Sequence, residues 1–265
     1  YTIEQLFEEA LANGQLLTLD LLCEEMALTQ FAQLGLPSKL FLNIHPLTLV
    51  IDPQRPRRTL QRLQALNLTP AQIVIELTEH YSGGDYGPIK RAAEAYRRYG
   101  LKVAIDDLGV GYSGLRAWAE LRPDYVKLDR HFIHGLDRDP VKQHVAHLVV
   151  EMANRLGCQA LAEGVETAAE LRAVASAGIS LAQGYWFAKP VAAPPIHLSA
   201  DLFPIPDGLP LRGAIPVLLG ENIGSLAVPT PPLSPDTRVE TLAELFQSRP
   251  ELDWIPVVSA GLPHG

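Results

Sequence analysis

Cysteine is scarce: the 265 residues contain two, Cys23 and Cys158, too few for a disulfide framework or a thiolate metal site and suited to a reducing, cytoplasmic compartment. Long apolar runs are missing as well, and without a window of about eighteen such residues no membrane span is expected. Positive charge is in deficit, with 22 Lys and Arg against 30 Asp and Glu and a net charge of −8, which argues against nonspecific binding to DNA or to an anionic membrane. An acidic chain still binds phosphates through metal ions. Several catalytic motifs are absent: there is no G-x-G-x-x-G dinucleotide turn, no P-loop, no G-x-S-x-G serine elbow and no H-E-x-x-H zinc pair. His144 and His147 stand three apart on a helical pattern, and with no further ligand motif they read as a solvated or packed face.

What is present is a rhythm. Apolar, β-branched runs recur at Leu40–Ile44, Ile73–Leu77, Val103–Asp107, Tyr125–Asp129, Gln159–Gly164 and Gln183–Phe187, and the intervals of roughly 20 to 35 residues carry helical patterning. Helices are expected over Ile89–Tyr99, between Pro88 and Gly100, and over Val141–Leu156, between Asp139-Pro140 and Gly157. Strands apolar on both faces belong to a parallel sheet covered by helices. A barrel of this class has eight strands and places its chemistry at their C-terminal ends, so two further strands are expected upstream of Tyr1. A doubly wound open sheet accommodates six strands, but it normally carries the Gly-rich first turn that is missing here. After Pro190 the composition shifts. Residues 193–234 are rich in Pro and Gly and read as a linker, followed by a helical pattern over Asp236–Ser248 and a short apolar strand over Trp254–Ser259.

The polar residues at the strand ends carry the chemistry. Asp106 and Asp107 close an apolar strand and lead into a Gly-rich turn. Two adjacent anions repel and raise each other's pKa unless a cation compensates them, and such a pair either holds hard divalent ions or caps the next helix. Glu76 and Asn43 end the two preceding strands, and both are ordinary oxygen ligands for Mg²⁺ or Mn²⁺. Lys127 lies inside an apolar strand, where it either serves the acidic site or forms an internal salt bridge to Asp124 or Asp129. Glu163 ends the next strand as a metal ligand or as the group that orients a water. Gln183 begins the last run beside Tyr185, Trp186 and Phe187, aromatics that individually read as core.

Taken in order, Phe-Leu-Asn43-Ile, Ile-Glu76-Leu-Thr-Glu79, Asp106-Asp107-Leu-Gly-Val-Gly-Tyr-Ser, Val-Lys127-Leu-Asp-Arg, Ala-Glu163-Gly-Val-Glu166-Thr and Gln183-Gly-Tyr-Trp-Phe resemble the EAL-domain family of cyclic di-GMP phosphodiesterases. The resemblance covers about Tyr1 to Pro190. It implies an α/β fold, a TIM-like (β/α)8 barrel of the EAL type, here lacking its first strands and followed by a loop-rich C-terminal extension. It implies two Mg²⁺ or Mn²⁺ ions held by Asn43, Glu76, Asp106 and Asp107, with Lys127 and Glu163 acting around the water and second metal. Glu79 would brace the loop Leu108–Ser113, Gln183 would lie near the metals, and Glu166 would contact guanine. The substrate would be cyclic di-GMP, cleaved to linear pGpG by a homodimer formed through the barrel.

The naming Glu-Ala-Leu motif is expected upstream of Tyr1; Glu9-Ala10-Leu11 spells it inside a helical pattern and is not assigned. Leu108 and Val110 stand where the family's usual loop has Phe and Thr, so a non-catalytic cyclic di-GMP receptor is the alternative reading. Residues 235–265 resemble the first half of a CBS motif, which implies a barrel over 1–192, a linker over 193–234 and a regulatory module that begins at 235. A diguanylate cyclase domain further on is the other expected partner in the same polypeptide.

Overall fold

A computed structural model describes residues 2–78, 85–108, 114–191, 194–195, 198–199, 202, 257–259 and 262–264. Two helices lead in, α1 (Ile3–Ala12) and α2 (Leu16–Leu34), and the Glu9-Ala10-Leu11 triplet lies within the first. The strands follow as β1 (Leu40–Asn43), β2 (Ile73–Thr78), β3 (Lys102–Leu108), β4 (Tyr125–Leu128), β5 (Gln159–Ala162) and β6 (Leu181–Ala182). Between them run α3 (Pro46–Ile51), α4 (Arg55–Ala65), α5 (Gly87–Arg98), α6 (Gly114–Leu121), α7 (Arg130–Ile133), α8 (Pro140–Leu156) and α9 (Ala168–Ser176). Local chemistry sets these boundaries. The Asp139 carboxylate accepts from the Val141 and Lys142 amides at the start of α8, and Gly157, at φ 68°, closes it in the left-handed conformation.

All six strands are parallel and stand in the order β1-β2-β3-β4-β5-β6. Strictly sequential order is that of a barrel wall. A doubly wound sheet reverses its order at a switch point, and none occurs among the described strands. The sheet is therefore a curled segment of a TIM-like barrel.

Alternation divides each strand between two environments. Ile73, Ile75, Val103, Ile105, Val126, Leu128, Ala160 and Ala162 join the main core together with the helices. On the opposite face Val74, Ala104 and Tyr125 form a smaller cluster, with Phe41 and Leu181 packed against it. The Phe41 and Tyr125 rings meet edge to face at 5.7 Å.

One strand differs from expectation. The last run was expected over Gln183–Phe187 for its aromatics, but pairing ends at Ala182. Gly184 is pressed onto Val165, where a Cβ would lie 2.2 Å from the Val165 carbonyl oxygen. The Phe187 amide then bonds back to the Gly184 carbonyl and closes a turn. Gln183 consequently follows the C-terminal end of β6 and does not begin a strand.

Helices α2, α3 and α4 share a polar knot that the sequence pattern does not announce. The Arg55 side chain is fully buried; its guanidinium holds Asp20 and Thr48, and reaches Glu24 through Nη2 at 2.9 Å and Nε at 3.1 Å. Thr59 donates to Glu24 at 2.7 Å and Thr48 to Asp20 at 2.8 Å.

The chain forms two compact units, Tyr1–Leu219 and Gly220–Gly265. In the second, Val257–Ser259 and Leu262–His264 pair as an antiparallel hairpin. The helix expected over Asp236–Ser248 and most of the Pro/Gly-rich stretch lie outside the described residues. No described helix is long and apolar enough to cross a membrane.

Removing Arg55 leaves two carboxylates buried and unpaired. Arg55→Met is expected to lower unfolding stability by about 3–5 kcal/mol in urea titration; a loss below about 1 kcal/mol would show that the knot contributes little.

Candidate active site and metal centre

Most polar residues named at the strand ends sit two positions after a residue of the smaller cluster: Asn43 follows Phe41, Glu76 follows Val74, Asp106 follows Ala104, Lys127 follows Tyr125 and Gln183 follows Leu181. Glu163 follows the buried Leu161 at the same spacing. The two-residue period of a strand carries the side chains from a packed layer into one polar mouth. Glu76 and Asp106 lie two residues before the ends of their strands, because β2 continues to Thr78 and β3 to Leu108.

Asp107 breaks this pattern, since simple alternation would turn it away from Asp106. It adopts φ 56°, and the β3–β4 register shifts between Ile105 and Leu108. This bulge re-aims the side chain, so that oxygens of Asp106, Asp107 and Glu163 come within 4.8 Å of one another. A non-glycine residue held in this region costs on the order of 1 kcal/mol. The Asp106 carboxylate is engaged by the Lys127 ammonium and by the Asp107 amide; residues 109–113, between the Asp pair and α6, lie outside the described residues.

At the centre lies Lys127, 3% exposed. Its ammonium stands 2.5 Å from Glu76, 2.8 Å from Asp106 and 2.7 Å from Glu163. The alternative partners are engaged elsewhere: Asp124 binds Lys102 at 2.7 Å and Arg97 at 3.2 Å, and Asp129 caps α7 through the His131 amide. Gln183 donates to Glu163 at 2.6 Å. Asn43 is exposed at the end of β1, in register with Glu76. Glu166 is held by Arg130 at 2.7 Å. Tyr185 is exposed, while Trp186 and Phe187 pack against the main core. Glu79 and residues 109–113 of the loop lie outside the described residues. Sequence reasoning passed over Arg130, and also Glu170, whose only local signal is a capping box with Thr167.

Burial disfavours the charged form of Lys127, but Glu76, Glu163 and Asp106 outweigh it and raise its pKa. One ammonium among these acids does not neutralise them all. Burial pushes Glu163 up to about 7, against the pull of Lys127 and with the repulsion of Asp106 and Glu76. Glu76 is raised for the same first reason, burial, offset by Lys127. A cluster of oxygen donors with excess negative charge fits a hard divalent cation.

Residues 2–190 match the family described as EAL domain. The chain belongs to the EAL domain family. Along 178 residues it is 31% identical to the blue light- and temperature-regulated antirepressor BluF of Escherichia coli, covering 67% of this chain and 44% of that protein. Over 168 residues it is 33% identical to the cyclic di-GMP phosphodiesterase RocR of Pseudomonas aeruginosa, covering 61% of this chain and 41% of the relative. This EAL chain thus spans less than half the length of these two curated relatives. The manganese/cy-diGMP complex of Klebsiella pneumoniae BlrP1 superposes with a TM-score of 0.63 at 33% identity, over 67% of this chain and 45% of that one.

The charge state of Glu163 gives a test with a definite sign. Its folded pKa of about 7 lies above the ordinary 4.5, so its contribution to stability is full below the ordinary value and is lost as pH rises through the folded one. In metal-free protein Glu163→Gln is expected to match wild type near pH 4 and to exceed it by about 1–3 kcal/mol near pH 8. Equal stabilities at both pH values in thermal or urea melts would remove the argument.

Proposed function

We propose that this EAL domain hydrolyses one phosphodiester of cyclic di-GMP to linear pGpG, using two divalent ions, Mg²⁺ or Mn²⁺. The observation that carries the reading is the convergence of Asp106, Asp107 and Glu163 oxygens beside Lys127. It is supported by the RocR name and by the manganese and cy-diGMP in the BlrP1 complex.

In this reading Asn43, Glu76, Asp106 and Asp107 hold the ions. Bound there, the ions would supply charge neutralisation for the phosphate and activation of a water. Glu163, with a pKa near neutrality in the metal-free protein, is suited to accept the water proton as the water oxygen bonds to phosphorus and the ester P–O bond breaks. Lys127 stabilises negative charge building on the phosphoryl oxygens. Gln183 fixes the orientation of the Glu163 carboxylate, Glu79 braces the loop after β3, and Glu166 contacts the base. A cytoplasmic homodimer, with CBS and diguanylate cyclase partners downstream, completes the proposal.

Leu108 and Val110, where the family's usual loop has Phe and Thr, favour a second reading, a cyclic di-GMP receptor that signals without turnover. Chromatography of cyclic di-GMP incubated with the chain and Mn²⁺ separates the two. The expected product is pGpG, reduced at least about 100-fold by Asp106→Ala. Undiminished turnover in that variant would overturn the site assignment, and tight nucleotide binding with no product would select the receptor.

A further inference from the structure

Glu170 is 2% exposed, yet among the described residues no ammonium or guanidinium is paired with it. Its carboxylate is satisfied by main-chain amides instead. Oε1 accepts from Gly135 at 3.0 Å, and Oε2 accepts from Glu166 at 2.9 Å and Thr167 at 3.1 Å. His134 Nδ1 lies 3.4 Å away. A capping box accounts for the bond to Thr167 and for the return bond from the Glu170 amide to the Thr167 hydroxyl. It does not account for Gly135, which belongs to the connection after β4, or for Glu166. Through those bonds one side chain joins the segment after Lys127 to the segment after Glu163.

A second strap runs beside the first. Gly164, at φ 68°, is covered by the Arg130 side chain so closely that a Cβ there would lie 2.5 Å from the Arg130 Cγ. The same Arg130 ends on the Glu166 carboxylate at 2.7 Å. Upstream, the Glu163 amide bonds to the Leu128 carbonyl at 3.1 Å, and the Val165 amide bonds to that of Gln183. The turn 163–167 is therefore pinned at nearly every residue, and its first member stands 2.7 Å from Lys127.

We propose that Glu170 is a positioning residue that, by locking the Glu163–Thr167 turn onto the connection after β4, holds the Glu163 carboxylate opposite Lys127 and Asp106. It touches neither substrate nor metal and acts through the main chain. The proposal rests on the metal-dependent reading of the site.

The test uses the full chain with Glu170→Ala and Glu170→Gln, each checked for folding by circular dichroism. Mn²⁺ alone is titrated calorimetrically, and kcat and KM for cyclic di-GMP are measured separately. Glu170→Ala is expected to weaken Mn²⁺ binding and to lower kcat by about 10-fold each, the scale of lost outer-sphere support, while KM changes by less than about 2-fold. Glu170→Gln should fall between the two, since one amide oxygen cannot accept from both Gly135 and the Glu166–Thr167 pair; about 3-fold is expected. Should the alanine variant fail to fold, the glutamine variant decides. A folded variant with wild-type Mn²⁺ affinity and kcat would overturn the positioning role while leaving the site reading intact. Absence of both Mn²⁺ binding and turnover in wild type would sink the site reading, and this proposal with it.

Discussion

The ion cluster around Lys127 is the constraint on which the site depends. An ammonium 3% exposed in the strand layer is tolerable only because Glu76, Asp106 and Glu163 lie within 2.8 Å of it. Those carboxylates tolerate one another only because the ammonium is there. Each strand therefore fixes the charge its neighbours can carry, and the remaining excess of negative charge is what suits the cluster to divalent cations.

A second buried cation shows why residue type matters. Arg55 is fully enclosed and bonded to Asp20, Glu24 and Thr48 with its planar fork. That arrangement is rigid and closed, a fastening between helices. Lys127 is a compact charge on a flexible stem, able to shift among partners as charges nearby change. The same chemistry of a cation among acids thus serves structure in one place and a responsive site in the other.

Much of this was legible in the residues themselves. Asp106, Lys127 and Glu163 stand out because ionisable groups interrupt apolar strands, and the two-residue period then dictates that they share a face. The sequential strand order agrees with the absence of a Gly-rich first turn. Other features depend on contacts remote in sequence. Gln183–Phe187 has the aromatic content of a strand, but the close approach of Gly184 to Val165 bends it. Asp107 would point away from its neighbour in a regular strand, and only the bulge against β4 brings it back. Arg55, Asp20 and Glu24 look like solvated helix charges until α2 and α4 are packed together. Glu170 looks like a helix cap until Gly135 is found on its other oxygen.

Whether the acid cluster is a divalent metal centre is the central question. Anomalous diffraction at the manganese edge from crystals of the wild-type chain equilibrated with Mn²⁺ addresses it directly. The account expects manganese within bonding distance of Asp106 and Asp107 carboxylate oxygens, about 2.0–2.3 Å, with the Lys127 ammonium withdrawn from at least one of its three carboxylates. Crystals that bind manganese elsewhere, or none, with Lys127 still on all three, would contradict it.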